Sequence, residues 1–196
     1  MDKAKKLEGV ALAELQILDV YHASQKGIYS TSDLIERADH TLPDSIRAKI
    51  PAEAVEELRQ SGRCLAFDSF TASGFHMMRA AEAVLYEYYV SICKPKTKKK
   101  LDNWGAYILA LRKWQDEKSG NKSPDVEKVI AVLQQIEDQD RNLIMHPELV
   151  LSGDDAFTLF EVGQGAIIAM AARLKPKAPR KPSRSKVVGT GGALRV

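Results

Sequence analysis

The chain has 196 residues, 44% of them hydrophobic and 28% charged, which is enough for one globular domain with a real core. No apolar run approaches the length of a membrane span, and the two cysteines and four histidines show no zinc-ligand spacing, so neither a membrane anchor nor a structural metal is expected. The net charge of +3 hides a division: eight of the 29 Lys and Arg fall from Arg173 onward with no acid among them, leaving 21 bases against 26 acids, or −5, in the preceding body. A basic pI of about 8.8 therefore reports the tail and does not make the body a nucleic-acid binder.

The start is basic (Lys3, Lys5, Lys6), but Glu8 and Glu14 interrupt what would be the apolar part of a secretory signal, so a cytoplasmic location is expected. Leu7, Val10, Ala11, Leu18 and Tyr21 fit a helical stripe, while Glu14 to Ser24 also suits an extended strand turned at Gln25-Lys26-Gly27. The reading adopted is a short helix and a small hairpin. Thr31 or Ser32 caps a short helix through Ala38, and Pro43 and Pro51 read as first-turn prolines, the second opening a helix to about Phe67.

The best-defined element is Phe70 to Cys93. Its apolar positions, Met77, Met78, Ala81, Val84, Leu85, Tyr88, Tyr89 and Phe75, span an arc of roughly 200°, wider than a surface helix needs, so this helix should be central. Pro95 ends it, and Lys94 to Lys100 reads as a solvated basic loop, with a phosphate-contact patch as the alternative. Asn103 caps a helix carrying Trp104, Ile108, Leu111 and Trp114, and Ser123-Pro124 starts one ending at His146-Pro147. Ser152 starts the last helix, with Phe157, Phe160, Ile167, Ile168 and Ala171 inward and Gly163, Gly165 and Ala166 permitting close approach of a partner helix. The whole reads as an all-α chain: an N-terminal extension over 1–50, an antiparallel up-and-down bundle of four to five main helices over 51–174, and a disordered basic tail over 175–196. Cys64 and Cys93, in apolar helical contexts, read as two buried reduced thiols.

Two acids fall on apolar faces. Glu82 lies between Tyr89 and Phe75 on its wheel, and Asp140 among Ile136, Val129 and Leu133. A lone carboxylate in a core costs several kcal/mol, so each demands a cationic partner. Arg79 is the local candidate for Glu82, with His76 and Arg141 as inter-helix ones, and the two helices should then face each other. Arg141 and His146 sit about 140° apart on a straight helix. Pro147 disfavours helical backbone at His146 and can re-aim its ring, or a second copy of the chain can supply the missing half of a site. The plainer alternative makes Arg141 a surface residue and His146 a helix C-cap.

The run Arg141-Asn142-Leu143-Ile144-Met145-His146 at the end of a helix resembles the R-N-x-x-x-H signature of the HEPN superfamily. Gly62 to Phe67, followed by Ala72 to Glu82, is similar to uncharacterised bacterial proteins grouped with HEPN or abortive-infection domains. The resemblance covers roughly Ala52 to Leu174. It implies a helical bundle that dimerises to bring two such motifs to one composite cleft, in metal-independent endoribonucleases of toxin or defence systems, or in inactive relatives that bind a partner protein or nucleotide. Under it, Arg141 and His146 are catalytic and Asn142 is the polar residue that follows the Arg. His76, Arg79, Glu82 and Asp140 form a supporting charge network inferred from the wheels alone. No cofactor is implied; the expected partners are a second copy, RNA and an antitoxin-like protein.

The chemistry follows from the side chains. A ribose 2′-OH attacks the adjacent phosphorus and the 5′-oxygen leaves as a 2′,3′-cyclic phosphate forms. Imidazole titrates near neutrality, so His146 suits either proton transfer, while the planar fork of Arg141 suits the charge on the phosphorane. The acidic body is unhelpful for holding RNA, so the tail or the Lys94–Lys100 loop must supply counter-charge.

Overall fold

The computed structural model describes residues 2–17, 23–118, 123–138 and 150–176. These form eight α-helices and one 3-10 turn, with no strand among them: α1 Asp2–Ile17, α2 Thr31–Arg37, the 3-10 turn Ala38–Thr41, α3 Asp44–Arg47, α4 Ala52–Ala66, α5 Phe70–Cys93, α6 Trp104–Asp116, α7 Pro124–Ile136 and α8 Gly153–Ala171. The chain is an all-helical bundle, and no helix among the described residues is long and apolar enough to cross a membrane. The tail beyond Pro176, together with Leu18 and Tyr21 of the N-terminal stripe, lies outside the described residues.

Local chemistry sets most boundaries. Asn103 accepts from Ala106 N–H at 2.9 Å to open α6, and Ser152 and Asp155 form a reciprocal capping box at the start of α8. Pro124 occupies the first turn of α7, where its missing N–H is no loss. At α2 the cap is Ser30, whose side chain accepts from Asp33 N–H, in place of the expected Thr31 or Ser32. Pro43 and Pro51 stand one residue before their helices, at the N-cap positions. The expected hairpin reduces, among the described residues, to its turn: Lys26 bridges Tyr29 across Gly27, whose φ of +56° is the left-handed conformation glycine tolerates.

α5 is central, packed by α4, α6 and α8. Met77, Ala80, Ala81, Val84, Leu85 and Tyr88 are all fully buried along it. α4 and α5 form an antiparallel hairpin held by two buried reciprocal bonds: Ser61 Oγ donates to Ser73 O and Ser73 Oγ donates to Ser61 O, each at 2.9 Å. α6 and α7 form a second hairpin, with the Gln115 side chain donating to Ser123 O and accepting from Ser123 N–H, both at 2.9 Å. Between the hairpins, residues 94–103 return the chain along α5, where Tyr86 Oη donates to Lys98 O, so α6 runs in the same sense as α5. Among the described residues α7 packs chiefly on α6 and α8; Asp140, on which the expectation of a helix facing Glu82 rests, lies outside the described residues.

Two short segments are drawn onto this frame. Leu34, Ala38, Leu42, Ile46 and Ile50 join the same core as α4 and α5. Gly62 of α4 has no room for a Cβ, which would overlap Ala38 and stand 2.8 Å from Leu34 O. Asp39, 2% exposed, accepts from Arg59 Nε at 2.8 Å, with Arg47 Nε at 3.8 Å. A buried carboxylate is tolerable only with such partners, so this pair ties residues 31–50 to α4.

The outward side of two helices departs from expectation. Phe75 is 40% exposed and Ile168 36% exposed, although periodicity places both inward. Ile168 shares its outward line with Glu161, Gly165 and Ala172, all exposed, while Ile167 takes the core position beside it. Both cysteines are free and half-buried; burial pushes the Cys64 thiol up and that of Cys93 up to about 11.

The small residues of α8 divide cleanly. A Cβ on Gly163 would overlap Met77 of α5, whereas nothing stands within 4 Å of one on Gly165. Gly163→Ala should therefore destabilise the fold by about 1–3 kcal/mol through overpacking. Gly165→Ala should stabilise it by up to about 1 kcal/mol through helix propensity. Urea denaturation midpoints of the two variants test the pair: equal shifts of the same sign would contradict the assigned packing.

Candidate functional site

The charged residues that periodicity singles out on α5 gather around a residue it misses. Glu57, on α4, lies opposite His76 and Arg79 because the α4–α5 hairpin pairs Ser61 with Ser73 and so brings the preceding turn of α4 beside the following turn of α5. His76 Nδ1 is 2.7 Å from Glu57 Oε2, and Arg79 Nε donates to Glu57 Oε1 at 2.7 Å. Glu57 retains only 14% side-chain exposure, against 30% for His76 and 54% for Arg79. The carboxylate thus lies beneath two cationic or donor groups that reach the surface.

Burial pushes the Glu57 carboxyl up, but hydrogen bonds from His76 and Arg79, with the Arg79 charge, outweigh it and hold the group below its ordinary value of 4.5. The ionised form is therefore the native one. Arg79 also stands 5.7 Å from the centroid of the Phe75 ring, and the His76 ring stands 6.0 Å from it, which accounts for an aromatic left at the surface.

Arg79, one turn before Glu82, donates to Glu57, and Glu82 accepts from the buried indole N–H of Trp104 at 3.3 Å. It is half-buried, not enclosed, and borders a cavity of about 210 Å³ lined by Glu53, Glu57, Arg79, Ala83 and Lys100. Lys100 reaches Glu53 at 3.6 Å, so one lysine of the basic loop belongs to this cluster.

Arg141, Asn142 and His146, with Asp140, lie outside the described residues. Described chain flanks them on both sides. The Glu137 carboxylate lies 2.9 Å from where a Cβ on Gly105 would stand, next to Trp104, and Leu151 N–H donates to Thr71 Oγ1 at 3.1 Å. On α5, His76 and Arg79 fall between Thr71 and Glu82, hence between these two anchor points.

The signal for Glu57 was present in the sequence. It stands three residues after Ala54 and four before Ser61, both buried, so it falls on the apolar stripe of α4 by the same test that singles out Glu82. Asp39 offers no such signal, because it sits in a four-residue turn with no helical period to violate. Among the described residues no group of three or more His, Cys, Asp or Glu is disposed to hold a metal ion.

A depressed carboxyl stabilises the fold above its unfolded value and loses that contribution as pH falls through the folded one. Wild-type stability should drop as pH falls below about 4.5, and Glu57→Gln should flatten that acid limb while costing about 1–3 kcal/mol near neutrality. Thermal unfolding across this range checks it; parallel acid limbs in the two proteins would show that Glu57 does not carry the linkage.

No family model, no curated protein and no solved structure matches the chain.

Proposed function

We propose that the chain is a HEPN-type, metal-independent endoribonuclease of a bacterial defence or toxin–antitoxin-like system, acting in the cytoplasm as a homodimer with a composite site. The observation that carries the reading is the Arg141-Asn142-x-x-x-His146 run, in a chain whose body is an all-helical bundle of the kind that run's resemblance implies. Arg141 stabilises the charge on the pentacoordinate phosphorus, His146 moves the proton, and Asn142 orients phosphate or imidazole. His76 and Arg79, held by Glu57, act as positioning residues on the helix between the two ends that flank the motif.

A second reading rests on a specific observation. Glu57 engages both His76 and Arg79, and the body before Arg173 carries a net charge of −5. A closed ion-pair cluster on an acidic surface also suits a non-catalytic module that binds a partner protein or nucleotide.

Incubation with mixed RNA in EDTA separates the two. The ribonuclease reading expects fragments ending in 2′,3′-cyclic phosphate, with His146→Ala and Arg141→Ala each reducing the rate at least ~100-fold. Identical RNA profiles for wild type and His146→Ala would remove its support and leave the binding module.

A further inference from the structure

Among the described residues no other helix packs extensively on α1. Every side chain from Lys3 to Glu14 is exposed, including Leu7 at 73%, Val10 at 51% and Leu12 at 55%. A helix of 16 residues with a glycine inside it is marginal in water without a partner surface, because nucleation is costly and propensity alone does not repay it. The apolar groups therefore call for an occupant.

The pattern of charge indicates which one. At about 100° per residue, Ala4, Leu7 and Ala11 fall on one line with Val10 beside it, and Lys3 and Glu14 lie along the same flank, between Leu7 and Val10. Leu12 lies about 170° away from the middle of the Leu7–Val10 seam, on the opposite face. A parallel pair of such helices sets Lys3 against Lys3. An antiparallel pair related by a two-fold axis near Gly9 sets each Lys3 against the partner's Glu14, on the same flank, twice over. The small side chains of Ala4 and Ala11 permit the backbones to come close.

We propose that α1 is a docking helix for a second copy of this chain, the two α1 helices pairing antiparallel with Leu7 packed on the partner's Val10 and Lys3 opposite the partner's Glu14. This rests on the homodimer element of the function proposed above, not on its chemistry. Such a pairing gives the chain a self-association surface separate from the Glu57 cluster.

Sedimentation or light scattering of the full chain from ~1 to ~100 µM tests the pairing. Wild type should be dimeric at the upper end. Leu7→Asp should be monomeric there, while Leu12→Asp, on the other face, should remain dimeric. Lys3→Glu should weaken the dimer several-fold, and adding Glu14→Lys to it should restore the wild-type constant.

Three outcomes overturn the proposal: a monomeric wild type throughout, a Leu7→Asp protein as dimeric as wild type, or Leu7-dependent binding of wild type to vesicles containing phosphatidylserine without self-association. RNA cleavage, read in parallel, keeps the two proposals apart. Cleavage by a dimeric Leu7→Asp protein would sink the α1 pairing and leave the ribonuclease standing. A wild-type dimer broken by Leu7→Asp, with no cleavage in either protein, would do the reverse.

Discussion

The close antiparallel contact of α4 and α5 is the constraint on which the rest of the arrangement depends. Two buried serines exchange hydrogen bonds with each other's carbonyls, which is possible only where two helix backbones approach within reach of a hydroxymethyl group. Once Ser61 and Ser73 are locked, the register of the hairpin is fixed, and everything else on the two helices follows from it. Glu57 must then face His76 and Arg79, one turn further from the connecting loop. Gly62, on the same helix, opens the groove into which Ala38 and the 3-10 turn settle. The α4–α5 pair is both the floor of the charged cluster and the surface that receives residues 31–50.

The buried or half-buried acids show three solutions to one electrostatic problem. Asp39 is enclosed and meets an Arg fork, which supplies charge and directional donors together. Glu57 is less enclosed and shares its two oxygens between an imidazole and a guanidinium, enough to overcome the penalty of its own burial. Glu82, at a cavity edge, accepts from the Trp104 indole among its contacts. A carboxylate withdrawn from solvent needs compensation of this kind to stay charged.

Several elements were legible because their causes are local. Ser152 with Asp155, Asn103, Ser123-Pro124 and the proline after Lys94 mark helix ends through groups within four residues of one another. The wide apolar arc of α5 foretold its central position, since a helix apolar on most sides must be covered on most sides. Gly163 was legible as a site of close approach, but not as distinct from Gly165, because only the position of Met77 separates them. Phe75 and Ile168 misled the wheel, since both stand beside core positions, and what covers a given arc depends on where the neighbouring helices cross.

The order of residues carries the caps at Asn103, Ser123 and Ser152, the apolar faces of the long helices, and the need of certain acids for partners, because hydrogen-bond caps and a period of 3.6 residues act over only a few positions. Only the tertiary structure decided who those partners are. Arg79 could pair with Glu82 or Glu57 as far as spacing is concerned, and Asp39 with either of two arginines on separate elements. The Ser61–Ser73 contact and the crossing of α2 and the 3-10 turn over α4 settle these choices, because a pairing across helices depends on register, a property of two elements together that neither carries alone.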